Sequence, residues 1–139
     1  MQTIKQIQDE IVEDFSSIED WTDKYVYLIE LGNELPPLDE KHRNEQNLLK
    51  GCQSRLWVHA EKKEGRIYYY ADSDALIVKG IIALLLKIYS EKTPQEILNA
   101  DKIFVHKIGL DKHLSPMRSN GLFIMIEKIR FYAASLRNK

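Results

Sequence analysis

The period of the apolar pattern changes from three-and-four to two at Arg55, for the length of one hairpin, and that change limits what this chain can fold into. Before it, Ile4, Ile7, Ile11, Phe15 and Ile18 recur at the three-and-four spacing of one helix face. After it, Leu56, Val58 and Ala60 alternate with Trp57, His59 and Glu61, the period of a half-buried strand. Lys63-Glu64-Gly65 is a turn signal, and Arg66 to Ala71 resumes with Ile67, Tyr68, Tyr69 and Tyr70. An antiparallel hairpin follows from this pattern. Within the tyrosine run, Tyr69 faces opposite to its neighbours, which favours a sheet core on one side over a binding face.

The flanking segments read as helices. Thr3 and Gln6 have the spacing of a capping box. Asp20 caps a second helix from about Trp21 to Leu31, with Gly32 as its terminator and Pro36-Pro37 beyond. Asp39 to Asn47 is polar and reads as a surface loop, with a turn or edge strand near Leu48. Asp74 is expected to cap a buried helix from Ala75 to about Ser90, apolar nearly all round and so covered on more than one side. Thr93-Pro94-Gln95-Glu96 opens a short helix ending near Asn99. Ile103 to Leu110 fits either a short helix or irregular chain. Ser115-Pro116 opens the last helix, to about Leu136, with Leu122, Met125, Ile126, Ile129 and Ala133 on one face. Helices around one small hairpin make an α+β fold, and a hairpin alone is too small to be stable without their core.

Composition narrows the function. At 139 residues one domain spanning 1–139 is expected, with 44% hydrophobic and 29% charged residues. Twenty basic against 21 acidic residues give a net charge of -1, which is no reason to expect nucleic acid as a partner, since that needs a basic stripe, though it leaves room for a local patch. The longest apolar run, Ile81 to Leu86, is far short of a membrane span, and the amino terminus turns polar at once, unlike a signal peptide. One cysteine, Cys52, excludes an intrachain disulfide, and the expected location is cytoplasmic.

The most specific local feature is Lys50-Gly51-Cys52-Gln53-Ser54-Arg55-Leu56-Trp57. Cys52 directly precedes the first strand, Gly51 permits close approach by another molecule, and Lys50 and Arg55 would favour a thiolate. From the residues alone, Cys52 stays open between a reactive thiol and a small buried hydrophobe. Cysteine-dependent hydrolysis would need a base among His42, His59, His106 and His113, and none lies in a hydrolase signature. Asp72 and Asp74 could offer a metal two carboxylates, but capping is the better reading, and one cysteine with four scattered histidines has no zinc spacing. Arg118, near the start of the last helix, is unfavourable against the helix dipole; it could point into solvent, pair with a nearby acid, or form an electropositive spot for an anion. Asn120-Gly121 hints at close packing, in that reading against the cysteine loop.

Gly51-Cys52-Gln53-Ser54 with Leu56-Trp57 resembles the cysteine-loop motif of the SufE family of sulfur-acceptor proteins. Asp72-Ser73-Asp74-Ala75 with Ile77-Val78-Lys79-Gly80, then Thr93-Pro94, then His113 to Leu122, resemble the family's further blocks in order. Leu56 stands where valine is common, and Arg55 where a neutral polar residue is common. The resemblance implies a SufE/IscU-like fold. It implies that Cys52 accepts persulfide sulfur from a pyridoxal-phosphate cysteine desulfurase, SufS-like or CsdA-like, and passes it to an iron–sulfur scaffold. Arg118 would match the family's arginine near the cysteine loop. The chain would be an accessory protein rather than an autonomous enzyme. It would bind no cofactor of its own, because the pyridoxal phosphate belongs to the partner, and family members often dimerise. A paralogous CsdE-type acceptor is the alternative within the family, and a cysteine-dependent hydrolase the alternative outside it.

Overall fold

The computed structural model describes residues 2–49 and 55–139, and for residues 116–118 the backbone alone. Helices α1 (Ile4–Ser16) and α2 (Trp21–Asn33) lead to a 3-10 turn (Glu40–His42), then strands β1 (Leu56–Lys63) and β2 (Arg66–Ser73). Helices α3 (Leu76–Tyr89), α4 (Pro94–Asn99), α5 (Ile103–Lys107), α6 (Leu110–His113) and α7 (Pro116–Leu136) complete the order. The α+β class follows directly: one two-stranded antiparallel sheet among helices.

The predicted caps at Thr3 and Thr93 form as complete capping boxes. Each pairs two backbone donors that the helix start leaves without intrahelical partners. The hairpin closes through a two-residue turn in which Glu64 and Gly65 both take positive φ, 51° and 81°. That conformation matches the twist of the flanking strands. Lys63 pairs with Arg66 and Leu56 with Ser73, so the register runs the full length of both strands.

The two faces of the hairpin have different covers. Val58, Ala60, Ile67, Tyr69 and Ala71 enter one core with Ile82, Leu85, Ile126 and Ile129 of α3 and α7. Tyr69 Oη donates to the Ile129 carbonyl at 2.7 Å, which satisfies the one polar atom this ring takes into the core. The opposite face carries Trp57, His59, Glu61 and, across the register, Asp72 and Tyr70. The 39–43 segment lies over it: Arg43 over the Trp57 ring at 4.8 Å and His42 stacked on His59. The stretch expected to be plain surface loop therefore serves as the lid of the second sheet face.

Three local expectations are corrected. Gly32 does not end α2, which runs on to Asn33. Its missing side chain instead lets α2 approach α3 at Gly80. Asp74 does not cap α3: Ala75 holds that position with no side-chain cap, and the Asp74 carboxylate bonds elsewhere. Ile18 lies beyond the end of α1. The ambiguous 103–110 stretch resolves into α5 and the start of α6, hinged at Gly109 with φ 82°. Among the described residues, no helix is long and apolar enough to cross a membrane.

Candidate functional site: the stems of the cysteine segment

Gly51, Cys52, Gln53 and Ser54, with Lys50, lie outside the described residues. The chain on either side is described, and it is tied down twice. Leu49 N–H donates to the Leu56 carbonyl at 2.8 Å, and Val58 N–H donates to the Asn47 carbonyl at 2.9 Å. Leu48 thereby bridges Trp57 antiparallel, as the edge-strand expectation near Leu48 anticipated. Leu49 and Leu56 are both buried, so the two stems are held by packing as well as by hydrogen bonds.

A second set of bonds fixes the downstream stem to the β2–α3 junction. Arg55 N–H donates to Asp74 Oδ1 at 3.2 Å, and Ser73 Oγ donates to the Arg55 carbonyl at 2.6 Å. Both polar groups of the Arg55 backbone are thus matched by consecutive side chains, Ser73 and Asp74. Beneath them Asp72, almost fully buried, pairs with Arg43 and with Lys79 Nζ at 3.5 Å. A carboxylate taken out of water needs such partners. The junction is therefore rigid where the cysteine segment rejoins the sheet, and Leu76, 59% exposed, stands beside it as an open apolar side chain.

Sequence reasoning missed the Arg43–Asp72–Lys79 arrangement. From sequence alone Asp72 reads as part of a cap or as a metal carboxylate, and nothing local places Arg43 over the Trp57 face, where the register puts Asp72. The backbone of Arg118 falls in the first turn of α7, and its side chain is outside what is described. Gly121 is buried within α7, while any contact with the cysteine segment falls outside the described residues.

The four histidines separate into distinct settings. His113 stacks on Trp21 at 4.0 Å, and His106 Nδ1 bonds Asp111 at 2.8 Å, which holds that carboxyl below its ordinary range. His42 and His59 stack on each other, and His59 Nε2 lies 3.2 Å from Glu61 Oε1. Among the described residues these last two histidines and Glu61 are the one group able to hold a metal ion.

The chain is similar over nearly its whole length to a protein of known structure from Thermus thermophilus, described as a hypothetical protein and solved in solution. The two share 21% identity over 96% of this chain and 97% of that one, with a TM-score of 0.80. At that identity the likeness speaks for the fold alone. The family model described as SufE, Fe-S metabolism associated domain, matches residues 9–133. That span takes in both stems, the β2–α3 junction and Cys52, so the chain belongs to the SufE family and has a role in Fe-S metabolism.

Proposed function

We propose that the protein is a sulfur acceptor, a single SufE-like domain over residues 1–139, that works with a cysteine desulfurase. The observation that carries this reading is the family match across 9–133, which includes the chain's lone cysteine. The paired stems at Leu49–Leu56 and at Ser73–Arg55–Asp74 support it, because they present a short cysteine-bearing segment from a fixed base.

The chemistry needs one thiol. The Cys52 thiolate attacks the terminal sulfur of the donor's persulfide. An S–S bond forms on Cys52, the donor's S–S bond breaks, and the donor cysteine leaves as thiolate. No net oxidation occurs, because the sulfane sulfur arrives already oxidised on the donor. The step follows the rules of thiol–disulfide exchange: thiolate fraction, leaving-group pKa and access. Arg118, with Lys50 and Arg55, is assigned to favour the anionic sulfur. The pyridoxal phosphate belongs to the desulfurase, and this chain needs no cofactor for the transfer. An iron–sulfur scaffold in the cytoplasm then receives the sulfur.

The test is desulfurase turnover, measured as alanine released from cysteine under reductant. The protein should raise turnover, and Cys52→Ser should not, although it still binds the desulfurase. Equal stimulation by Cys52→Ser would refute acceptance at this residue.

A further inference from the structure

The lid over the outer sheet face brings together three ligating side chains that the transfer chemistry does not use. His59 and Glu61 are two residues apart on β1 and so project from the same face. His42, from the 3-10 turn, lays its ring on His59 with centroids 3.7 Å apart and planes 14° apart. One ligand atom from each of the three lies within 4.8 Å of the others, and all three residues are half-buried. His42 and Glu61 also line a cavity of about 750 Å³ between the 34–42 segment, β2 and α3, walled by Leu31, Leu35, Leu38 and Leu86.

We propose that His42, His59 and Glu61 form a binding site for a divalent transition-metal ion of the zinc class, opening onto this cavity and not using Cys52. Two imidazoles and one carboxylate suit zinc, and three protein ligands leave a position open. Because His42 and Glu61 both line the cavity, the open position would face it, and a small ligand with a metal-coordinating head and an apolar body would fit there.

The distances support this set. Zinc bonds of about 2.0–2.1 Å arranged tetrahedrally place neighbouring ligand atoms roughly 3.3 Å apart. His59 Nε2 and Glu61 Oε1 already stand at 3.2 Å. His42 must move. A metal lies in the plane of each imidazole that binds it, so two parallel stacked rings cannot both donate to one ion. The His42 backbone is fixed, its N–H donating to the Asp39 carbonyl at 2.9 Å and its carbonyl accepting from Asn47 Nδ2 at 2.9 Å. Binding therefore needs rotation of the His42 ring out of the stack and no refolding of the turn.

The test uses tag-free Cys52→Ser protein, stripped with a chelator and titrated with zinc near neutral pH against a chromophoric competitor. One equivalent should bind. His42→Gln, on the turn, and His59→Ala should each weaken binding at least about tenfold, the scale on which even supporting partners of metal ligands act. In the NMR spectrum of the unsubstituted histidines, the His42 and His59 ring signals should move while those of His106 and His113 stay. Circular dichroism checks that each variant is folded, and His42→Gln keeps the test open if His59→Ala is not. Zinc bound equally well by His42→Gln, or bound by the wild type and lost in Cys52→Ser, would overturn the proposal.

Discussion

Gly80→Ala is the substitution whose cost can be worked most directly from the geometry. Gly80 lies in the second turn of α3 against α2. A methyl group built there would meet the Leu28 carbonyl oxygen at 2.1 Å and the Leu28 carbonyl carbon at 2.5 Å. Ordinary contact begins near 3.4 Å, so the helices must part by about 1.3 Å. The obstacle is backbone, and no rotamer change relieves it. Overpacking of this kind costs typically 1–3 kcal/mol, and a clash with backbone belongs at the upper end of about 3 kcal/mol. Alanine returns about 1 kcal/mol through better helix propensity. The net loss is about 2 kcal/mol. For a chain of this size that corresponds to a fall in Tm of roughly 6–10 °C. Gly32→Ala, whose nearest neighbour would be the Gly80 nitrogen at 2.8 Å, needs a smaller shift and should cost less. Urea and thermal unfolding of both variants give the comparison. A Gly80→Ala protein as stable as wild type, or a Gly32→Ala protein that loses more, would refute the reasoning.

Three further outcomes follow from the stems, the core tyrosines and the start of α7. Ser73→Ala leaves the Arg55 carbonyl without its side-chain donor and should lower stability by about 1 kcal/mol. It should also speed alkylation of Cys52 by iodoacetamide, by releasing the downstream stem; an unchanged rate would show that this bond does not restrain the cysteine segment. Burial pushes the Tyr89 hydroxyl up to about 12, against 10.0 in an unfolded chain. Its contribution is complete below pH 10 and is lost as pH rises toward 12, because the unfolded state ionises first. That difference is worth about 3 kcal/mol, and Tyr89→Phe should flatten the alkaline decline in urea unfolding; an identical decline would assign it elsewhere. Arg118→Ala should slow sulfur transfer while leaving unfolding curves nearly unchanged, and an unaffected transfer rate would remove Arg118 from the mechanism.

What was legible in the sequence was local in origin. The capping boxes at Thr3 and Thr93 involve residues three apart, and the hairpin follows from an alternation broken by Glu64-Gly65. The misreadings share one cause. Asp74 looks like a helix cap because capping is the commonest local use of an aspartate there, yet its carboxylate takes the Arg55 N–H from across the sheet. Gly32 looks like a terminator because a glycine after an apolar stripe usually is one, yet its role is set by Gly80, far along the chain. The same distance in sequence hid the His42–His59 stack and the pairing of Arg43 with Asp72. Cys52 was singled out by its flanking residues and by family likeness, signals independent of tertiary contacts.

The proposed function depends on sulfur carried by Cys52. Its most direct test is intact-protein mass spectrometry after incubation with an active cysteine desulfurase and free cysteine. A gain of one sulfur atom is expected, reversed by reductant and absent in Cys52→Ser. No gain with either of two paralogous desulfurases, each verified active, would contradict it, as would an equal gain in Cys52→Ser.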